Sequence, residues 1–337
     1  QDVLQIFGHA GRPQYEDMGV SYICTSGEKL PHYIESITSA HPIESTFLRG
    51  IVDALNAEVA LGSVTSLDDG ISWLGFTYLF TRLCKAPRVY GLDAHDFEAD
   101  PTLTQRRRQW ITYAANILAQ HQMIEFDLAA GTLRPTNMGR IASRYYLSHK
   151  TVGIFHERLR NNLVEADALS LMSRAADFDQ IPLRESEEEE LTSLLESVPC
   201  EVDGGTATAP GKVNILLQAH ISYLYVDDFA LVSDMRYVAQ NAGRVLLSLF
   251  ELALDKGFAM SASAFLQLAK AVDKRIWPYE HPLKQYPTFT PDMTHRISTW
   301  ADELEVSQIR SLSIPALAQL LHTNERTATV AHNAAER

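Results

Sequence analysis

The 337-residue sequence has only three cysteines, and no apolar stretch in it approaches the roughly 18 residues that a membrane-spanning helix needs. Cys24, Cys84 and Cys200 lie far apart and lack C-x-x-C spacing, which argues against a disulfide framework and against a zinc site. The twelve histidines form no pair at metal-ligand spacing. We therefore expect no metal ligands, no membrane contact and a reducing compartment, which would be the cytoplasm or, as the alternative, the nucleus.

The sequence also lacks a phosphate-binding loop. The nearest candidate has five residues between Gly205 and Gly211, and Val213 follows Lys212, whereas the loop needs four residues between its glycines and a Ser or Thr after the Lys. We interpret this stretch as a flexible loop between helices. The chain begins at Gln1 without a leader pattern, so we expect an internal segment of a longer protein and no signal peptide.

Acidic residues are concentrated in one place. The net charge is -13, and the segment from Arg184 to Asp203 contains eight acids and one base. The run Glu187–Glu190 follows Ser186 and is typical of a capped, solvated helix start. Because the excess is local, the overall acidity does not exclude a basic groove for nucleic acid elsewhere in the chain.

Hydrophobic periodicity in the first half predicts helices followed by a short hairpin. The predicted elements are a strand (20–25), three helices (44–60, 66–85 and 101–120) and a hairpin (123–127 with 132–135). Ser66 is typical of the residue that caps the second helix. Three helices before a hairpin is the order found in a winged helix, although other α+β segments share it.

The hydrophobic pattern of the second half predicts consecutive helices separated by short breaks, which is typical of a helical bundle. The predicted helices are 137–148, 151–161, 164–176, 186–196, 211–223, 233–255 and 261–274. Four prolines between Pro278 and Pro291 predict a linker. Beyond it we expect three short helices (291–300, 307–312 and 314–321) and a polar tail.

One face of the predicted helix 233–255 is rich in hydrogen-bond donors. Arg236, Gln240 and Arg244 recur at i, i+4 and i+8, with Asn241 beside them. Arg can contact phosphates, and Gln and Asn can bond backbone or base edges. Periodicity alone favours an ordinary solvated bundle face, but no acid occurs between Asp234 and Glu251.

A second basic cluster lies in the helix 101–120. Arg106, Arg107 and Arg108 are consecutive, so they cannot share one face of a helix. We interpret them as a solvated or domain-contact patch, with nucleic-acid contact as the alternative.

The first residues contain a glycine-rich turn between two polar side chains. Gly8 and Gly11 are three residues apart and permit a tight turn, and Gln5 and Arg12 flank it. An Arg held in this way can stabilise the charge that develops on a γ-phosphate. On spacing alone, a turn with an ion-paired surface Arg is the simpler interpretation.

Seven stretches together resemble the Ski-two-like superfamily-two helicases. They are Asp2–Tyr15, which looks like the sixth helicase motif, His41–Ser45, Leu55–Glu58, Trp73–Tyr78, Gly139–Ser143, Asn214–Ala219 and Tyr237–Arg244. The resemblance covers essentially the whole chain. Within the two-cassette subgroup, it is closer to the N-terminal cassette of the cointegrator and ribosome quality-control type than to the spliceosomal type.

The resemblance implies a mainly helical, overall α+β layout of four domains. These are the end of a second RecA-like α/β domain (1–40), a winged helix (41–136), a helical ratchet bundle that belongs to a Sec-sixty-three homology unit (137–286) and a helix-loop-helix domain (287–337). In this family the long bundle helix lies along the translocating strand, which favours Arg236, Gln240, Asn241 and Arg244 as RNA contacts.

The resemblance also implies an ATP-dependent RNA helicase whose ATP and Mg²⁺ bind mainly outside this segment. Gln5 and Arg12 would act on the γ-phosphate, and Gly8, His9 and Gly11 would shape the loop around the nucleotide. The implied partners are single-stranded RNA, a second cassette of the same chain, subunits of a larger complex and the ribosome.

One residue departs from the family motif Gly-Arg-Ala-Gly-Arg. His9 stands at its first Arg, and a neutral imidazole offers neither the permanent charge nor the five donors of a guanidinium. Two alternatives stay open beside an active helicase, the first because of His9 and the second because the Sec-sixty-three homology unit also occurs in a translocation factor without helicase domains. One is a regulatory cassette that does not turn over ATP, and the other is a non-enzymatic protein-interaction module.

Overall fold

The computed structural model describes residues 10–11, 18–38, 43–286 and 288–336. Within these ranges the chain is mainly helical, as predicted, and its strands are limited to one antiparallel pair, the predicted hairpin. None of the helices described is long and apolar enough to cross a bilayer.

The strand predicted at residues 20–25 is wrong. The segment has no regular secondary structure and is exposed throughout, with Tyr22 90% exposed. A strand needs a neighbour to pair its backbone N–H and C=O groups, and no strand among the described residues lies alongside it. Helix α1 (Leu30–Thr38), which the pattern did not predict, follows.

The next unit contains five helices and the predicted hairpin. The helices are α2 (Ile51–Leu61), α3 (Leu67–Gly75), α4 (Tyr78–Lys85), α5 (Ala94–Ala99) and α6 (Thr104–Gln120). Strands β1 (Ile124–Asp127) and β2 (Thr132–Pro135) pair with Ile124 opposite Pro135. The predicted cap is confirmed, because the Ser66 hydroxyl accepts a hydrogen bond from the Asp69 amide at 3.2 Å.

The helix predicted to run from Ser66 to Lys85 is in fact two helices. It breaks after Gly75, and the Thr77 hydroxyl accepts the Phe80 amide at 3.4 Å to start α4. The same hydroxyl donates to the Leu74 carbonyl at 2.7 Å, so one Thr side chain satisfies backbone groups on both sides of the break.

The bundle helices follow the predicted order with ends shifted by a few residues. They are α7 (Asn137–Arg144), α8 (His149–Arg158), α9 (Glu165–Ser173), α10 (Glu188–Ser197), α11 (Ala209–Ile221), α12 (Phe229–Asp255) and α13 (Ala259–Lys274). Helix α12 begins four residues before its predicted start, because Asp228 caps it by accepting the Leu231 amide at 2.8 Å.

The C-terminal region forms four helices around a separate core. They are α14 (Pro291–Trp300), α15 (Val306–Ser311), α16 (Ile314–Leu320) and α17 (Glu325–Glu336). The polar tail expected here is wrong, since α17 buries Ala328, Ala331 and Ala335, which line one face of the helix at i, i+3 and i+7.

A single apolar core joins the hairpin unit to the bundle. It extends from Ile51 to Trp277 and includes the inner faces of α2, α6, α12 and α13. A second core, from Leu283 to Ala335, belongs to the C-terminal helices. Helix α12 therefore rests on a continuous packed base, which fixes the direction of its outer face.

Candidate nucleic-acid interface

Helix α12 is the scaffold of the candidate interface. It has 27 residues, which corresponds to about 40 Å of length. Its inner face is fully buried at Val238, Ala242, Val245 and Leu249 against the neighbouring helices of the bundle. The outer face is where the predicted donor-rich residues lie.

The four predicted contact residues fall into two pairs. Arg236 and Gln240 are exposed, and neither makes a hydrogen bond or an ion pair with the described residues. Arg244 instead donates to the Tyr145 carbonyl at 2.5 Å and to the Asp177 carboxylate at 2.6 Å. Asn241 donates to the Tyr237 carbonyl at 3.0 Å and accepts from Arg244 at 3.2 Å. The structure thus leaves Arg236 and Gln240 uncommitted and engages Arg244 and Asn241 within the fold.

The acids of α12 all have partners within the chain. Asp234 is ion-paired with Arg184 and Lys212. Glu251 is ion-paired with Arg144 at 2.8 Å, and Asp255 accepts a hydrogen bond from Asn137 at 2.8 Å. The outer face around Arg236 therefore presents a guanidinium without a competing carboxylate from the same helix.

A buried ion cluster of Arg184, Glu187, Lys212 and Asp234 anchors the inner side of the N-terminal half of α12. The Lys212 ammonium, fully buried, lies 2.5 Å from Glu187 and 2.8 Å from Asp234, and it also donates to the Pro182 carbonyl at 2.8 Å. Arg184 pairs with both acids and lies 2.9 Å from Asp234. Burial raises the pKa of Asp234, but the hydrogen bonds from Arg184 and Lys212 outweigh it and hold that pKa below its ordinary value.

This cluster corrects two sequence interpretations. Lys212 does not belong to a flexible loop, because it lies inside α11, and a Cβ at Gly211 would approach the Gly205 carbonyl oxygen to 2.0 Å. Glu187 is not solvated either, since it is 1% exposed. Ser186 does not cap the helix: it lies in a 3-10 turn, and Glu187 occupies the cap position. An apparent phosphate-loop lysine is thus a structural cation.

Sequence reasoning missed two residues at the start of this face. Phe229 and Ser233 are exposed and line a groove of about 310 Å³ together with Val232, Arg236, Tyr237 and Gln240. The predicted helix began at Ser233, which placed Phe229 in a loop. A Phe gives no sequence signal of exposure, because the same residue is more often found in a core.

Among the described residues, the three arginines of the Arg106–Arg108 cluster make their contacts within their own unit rather than with another domain. Arg107 donates to the Ile71 carbonyl at 2.6 Å and stacks 4.8 Å over the Phe80 ring. Arg108 pairs with Asp68 at 2.7 Å, and the guanidinium of Arg106 lies 5.6 Å from the Trp110 ring. All three side chains are occupied within the hairpin unit.

Most of the glycine-rich arginine motif lies outside the described residues. Gln5, Gly8, His9 and Arg12 belong to that part, so their predicted roles stay predictions. Gly11 is described, and its backbone lies close to that of Gly19: a Cβ at Gly19 would stand 2.6 Å from the Ala10 carbonyl oxygen and 3.2 Å from the Gly11 nitrogen. Only glycine permits this approach.

The described part of the chain contains no group of three or more metal-ligating side chains that could hold an ion. All three cysteines are free thiols.

Two protein families match this sequence. Residues 135–326 match the family described as "Sec63 Brl domain", and residues 44–119 match one described as "Winged Helix-turn-helix domain". The Sec-sixty-three and winged-helix resemblances are thereby confirmed.

Several longer proteins are similar to most of the chain. It is 40% identical over 323 residues, 95% of its length, to "Activating signal cointegrator 1 complex subunit 3" of Homo sapiens. It is 41% identical over 315 residues, 90% of its length, to "RQC trigger complex helicase SLH1" of Saccharomyces cerevisiae. It is 38% identical over 306 residues, also 90%, to "DExH-box ATP-dependent RNA helicase DExH14" of Arabidopsis thaliana. The chain spans only 14%, 16% and 14% of the lengths of these relatives.

Proposed function

The chain belongs to the Sec63 Brl domain family, and from this premise we propose that it is the C-terminal part of one ATP-dependent RNA helicase cassette. The intact protein would translocate on single-stranded RNA and remodel RNA–protein complexes. Two relatives are called RNA helicase or helicase by name, and one of these is named after an RQC trigger complex. We favour ribosome-associated quality control in the cytoplasm, with a spliceosomal role in the nucleus as the alternative.

The observation that carries the RNA part is the uncommitted N-terminal half of the outer face of α12. Arg236 and Gln240 offer hydrogen-bond donors there. Asp234, the acid nearest to them in the helix, is neutralised by ion pairs with Arg184 and Lys212. A cation on an acid-free face attracts phosphates, and an amide can bond sugar or base without selecting a sequence. Such a face supports low sequence specificity, as translocation requires.

The ATP part of the proposal depends on residues that, apart from Gly11, the structure does not describe. Gln5 and Arg12 would contact the γ-phosphate, and the loop of Gly8, His9 and Gly11 would shape that contact. ATP and Mg²⁺ would be held mainly by segments beyond this chain, together with a second cassette and the subunits of a larger complex, which could dock it on the ribosome.

A single experiment on the full-length protein separates the two parts. Without ATP, Arg236→Gln should weaken single-stranded RNA binding and lower the magnitude of the salt slope by roughly 0.7, the contribution of one phosphate contact. The matched control is Arg88→Gln, an exposed arginine of the hairpin unit. Arg12→Ala should keep RNA binding and lose RNA-stimulated ATP hydrolysis.

The alternatives give different results. An unchanged salt slope in Arg236→Gln would reject the RNA interface on α12. Full ATP turnover in Arg12→Ala would reject the role of that residue. A wild-type protein that binds RNA but never hydrolyses ATP would indicate the regulatory cassette, and one that binds neither would indicate an interaction module.

A further inference from the structure

Phe229 is the most conspicuous side chain of the α12 face that the proposed function leaves without a role. It is the first residue of the helix, and 86% of it is exposed. A ring in this position leaves a large apolar surface in water. It nevertheless lines the same groove as Arg236 and Gln240.

The position of Phe229 is fixed by its surroundings. Its neighbour Asp228 caps α12, and Glu190 accepts the backbone amides of Asp227 and Asp228 at 2.6 and 3.1 Å. The backbone that carries the ring is thus held by a bidentate carboxylate on α10. A side chain that is pre-positioned on a rigid element loses little conformational entropy when it meets a ligand.

The charges around Phe229 define what the ring can bind. The acids Asp227 and Asp228 directly precede Phe229 in the chain, so a phosphate is disfavoured there. Arg236 lies seven residues further on, roughly 10 Å along the helix, and can meet a phosphate at that distance. The ring face accordingly suits an uncharged planar group, and the guanidinium suits the backbone that carries it.

We propose that Phe229 is a stacking platform for one unpaired base of single-stranded RNA, whose backbone then follows Arg236 and Gln240. This rests on the proposed function, and it adds a subsite that recognises a nucleobase by its face. Every base has such a face, so the contact would not select a sequence. No covalent step is involved.

The test uses the full-length protein without ATP and two labelled RNAs. Fluorescence anisotropy with a single-stranded oligoadenylate gives affinity, and the emission of a 2-aminopurine placed successively along the strand reports stacking. Phe229→Ala should weaken binding about 5- to 150-fold with an unchanged salt slope, because a ring contributes no phosphate contact. Phe229→Tyr should retain the affinity.

Phe76→Ala is the matched control. That ring is 91% exposed on the hairpin unit, outside the groove, and its loss should leave RNA affinity unchanged. One 2-aminopurine position should lose its protein-dependent emission change in Phe229→Ala only.

Three results would overturn the proposal. Wild-type affinity in Phe229→Ala, with reduced affinity in Arg236→Gln, would remove the stacking site and keep the RNA interface. Wild-type affinity in both variants would remove the proposed function as well. Unchanged RNA binding together with the loss of a protein subunit from the purified complex would assign the ring to a protein contact.

Discussion

The two halves of α12 differ in what their outer faces touch. In the N-terminal half, Phe229, Arg236 and Gln240 line an open groove and make no polar contact within the described chain. In the C-terminal half, Arg244 and Glu251 are bonded to the segment that joins α7 to α8 and to α7 itself. The outer-face side chains of the same helix thus lack polar partners in the N-terminal half and are bonded to neighbouring elements in the C-terminal half.

The difference shows how an acidic protein keeps a basic surface available. Asp234 and Glu251 are ion-paired with residues outside the helix, and Asp255 accepts a hydrogen bond from Asn137. Arg244 is bonded to Asp177 and to two backbone carbonyls. Arg236 remains the uncommitted cation. A sequence stripe of evenly spaced donors therefore contains both residues without a polar partner and residues bonded within the fold, and only their neighbours distinguish them.

The largest expected effect comes from removing the cation beneath the open half. Lys212→Met leaves Glu187 buried beside a single remaining arginine, and breaking a buried ion pair costs about 3–5 kcal/mol. We expect a loss of that size in the free energy of unfolding, measured by urea denaturation. The groove above should also lose RNA affinity, because Asp234 then anchors the helix through Arg184 alone.

A double variant controls for the loss of charge balance. Lys212→Met with Glu187→Gln leaves the ion pair between Arg184 and Asp234 intact. It should recover most of the stability, since well-packed neutral groups often replace buried ions at little cost. If the double variant is as unstable as the single one, packing rather than charge holds this region.

The sequence pattern predicted the positions of most helices, but it did not predict which of their side chains are buried and which are exposed. The cap at Ser66 and the bounds of α14 were confirmed because caps and apolar periods are local properties. The burial of Lys212 and the exposure of Phe229 were not foreseen. Both depend on which elements pack nearby, and neither leaves a trace in the residues on either side.

The placement of the candidate site on one helix face was predictable for the same reason. The spacing of Arg236 and Gln240 placed both residues on one outer face, which helical geometry alone determines. The engagement of Arg244 depends on Asp177, 67 residues away, so no local pattern could reveal it. The same holds for α17, where polar residues separate the alanines in the sequence. The burial of those alanines follows from the core of the C-terminal helices and could not be predicted from the segment alone.

A pair of arginine variants tests the contrast between the halves directly. Arg244→Ala removes the charged hydrogen bond to Asp177, which is 10% exposed, and should lower the free energy of unfolding by about 1.5–3 kcal/mol. Arg236→Ala should change it by less than about 0.5 kcal/mol, as expected for an exposed side chain without a partner. Equal effects on stability would mean that the two halves are not distinct.

The smallest expected effect lies at the boundary between the halves, where Gly243 occupies the interior of α12. A Cβ built there meets no atom of the chain within 4 Å, so nothing in the fold requires a glycine. Gly243→Ala should raise the free energy of unfolding by about 0.5–1 kcal/mol, since alanine favours a helix by that amount. The reverse change one turn earlier, Ala239→Gly, provides the matched control and should lower it by a similar amount.

The RNA affinity of Gly243→Ala tests whether the glycine is there to let the RNA strand approach the helix backbone. If the strand passes close to the backbone after Gln240, the added methyl of Gly243→Ala weakens binding while it stabilises the helix. That opposite response would extend the open half by one turn, as far as the residue before Arg244. A variant that is more stable and binds RNA as well as the wild type would instead end the interface at Gln240.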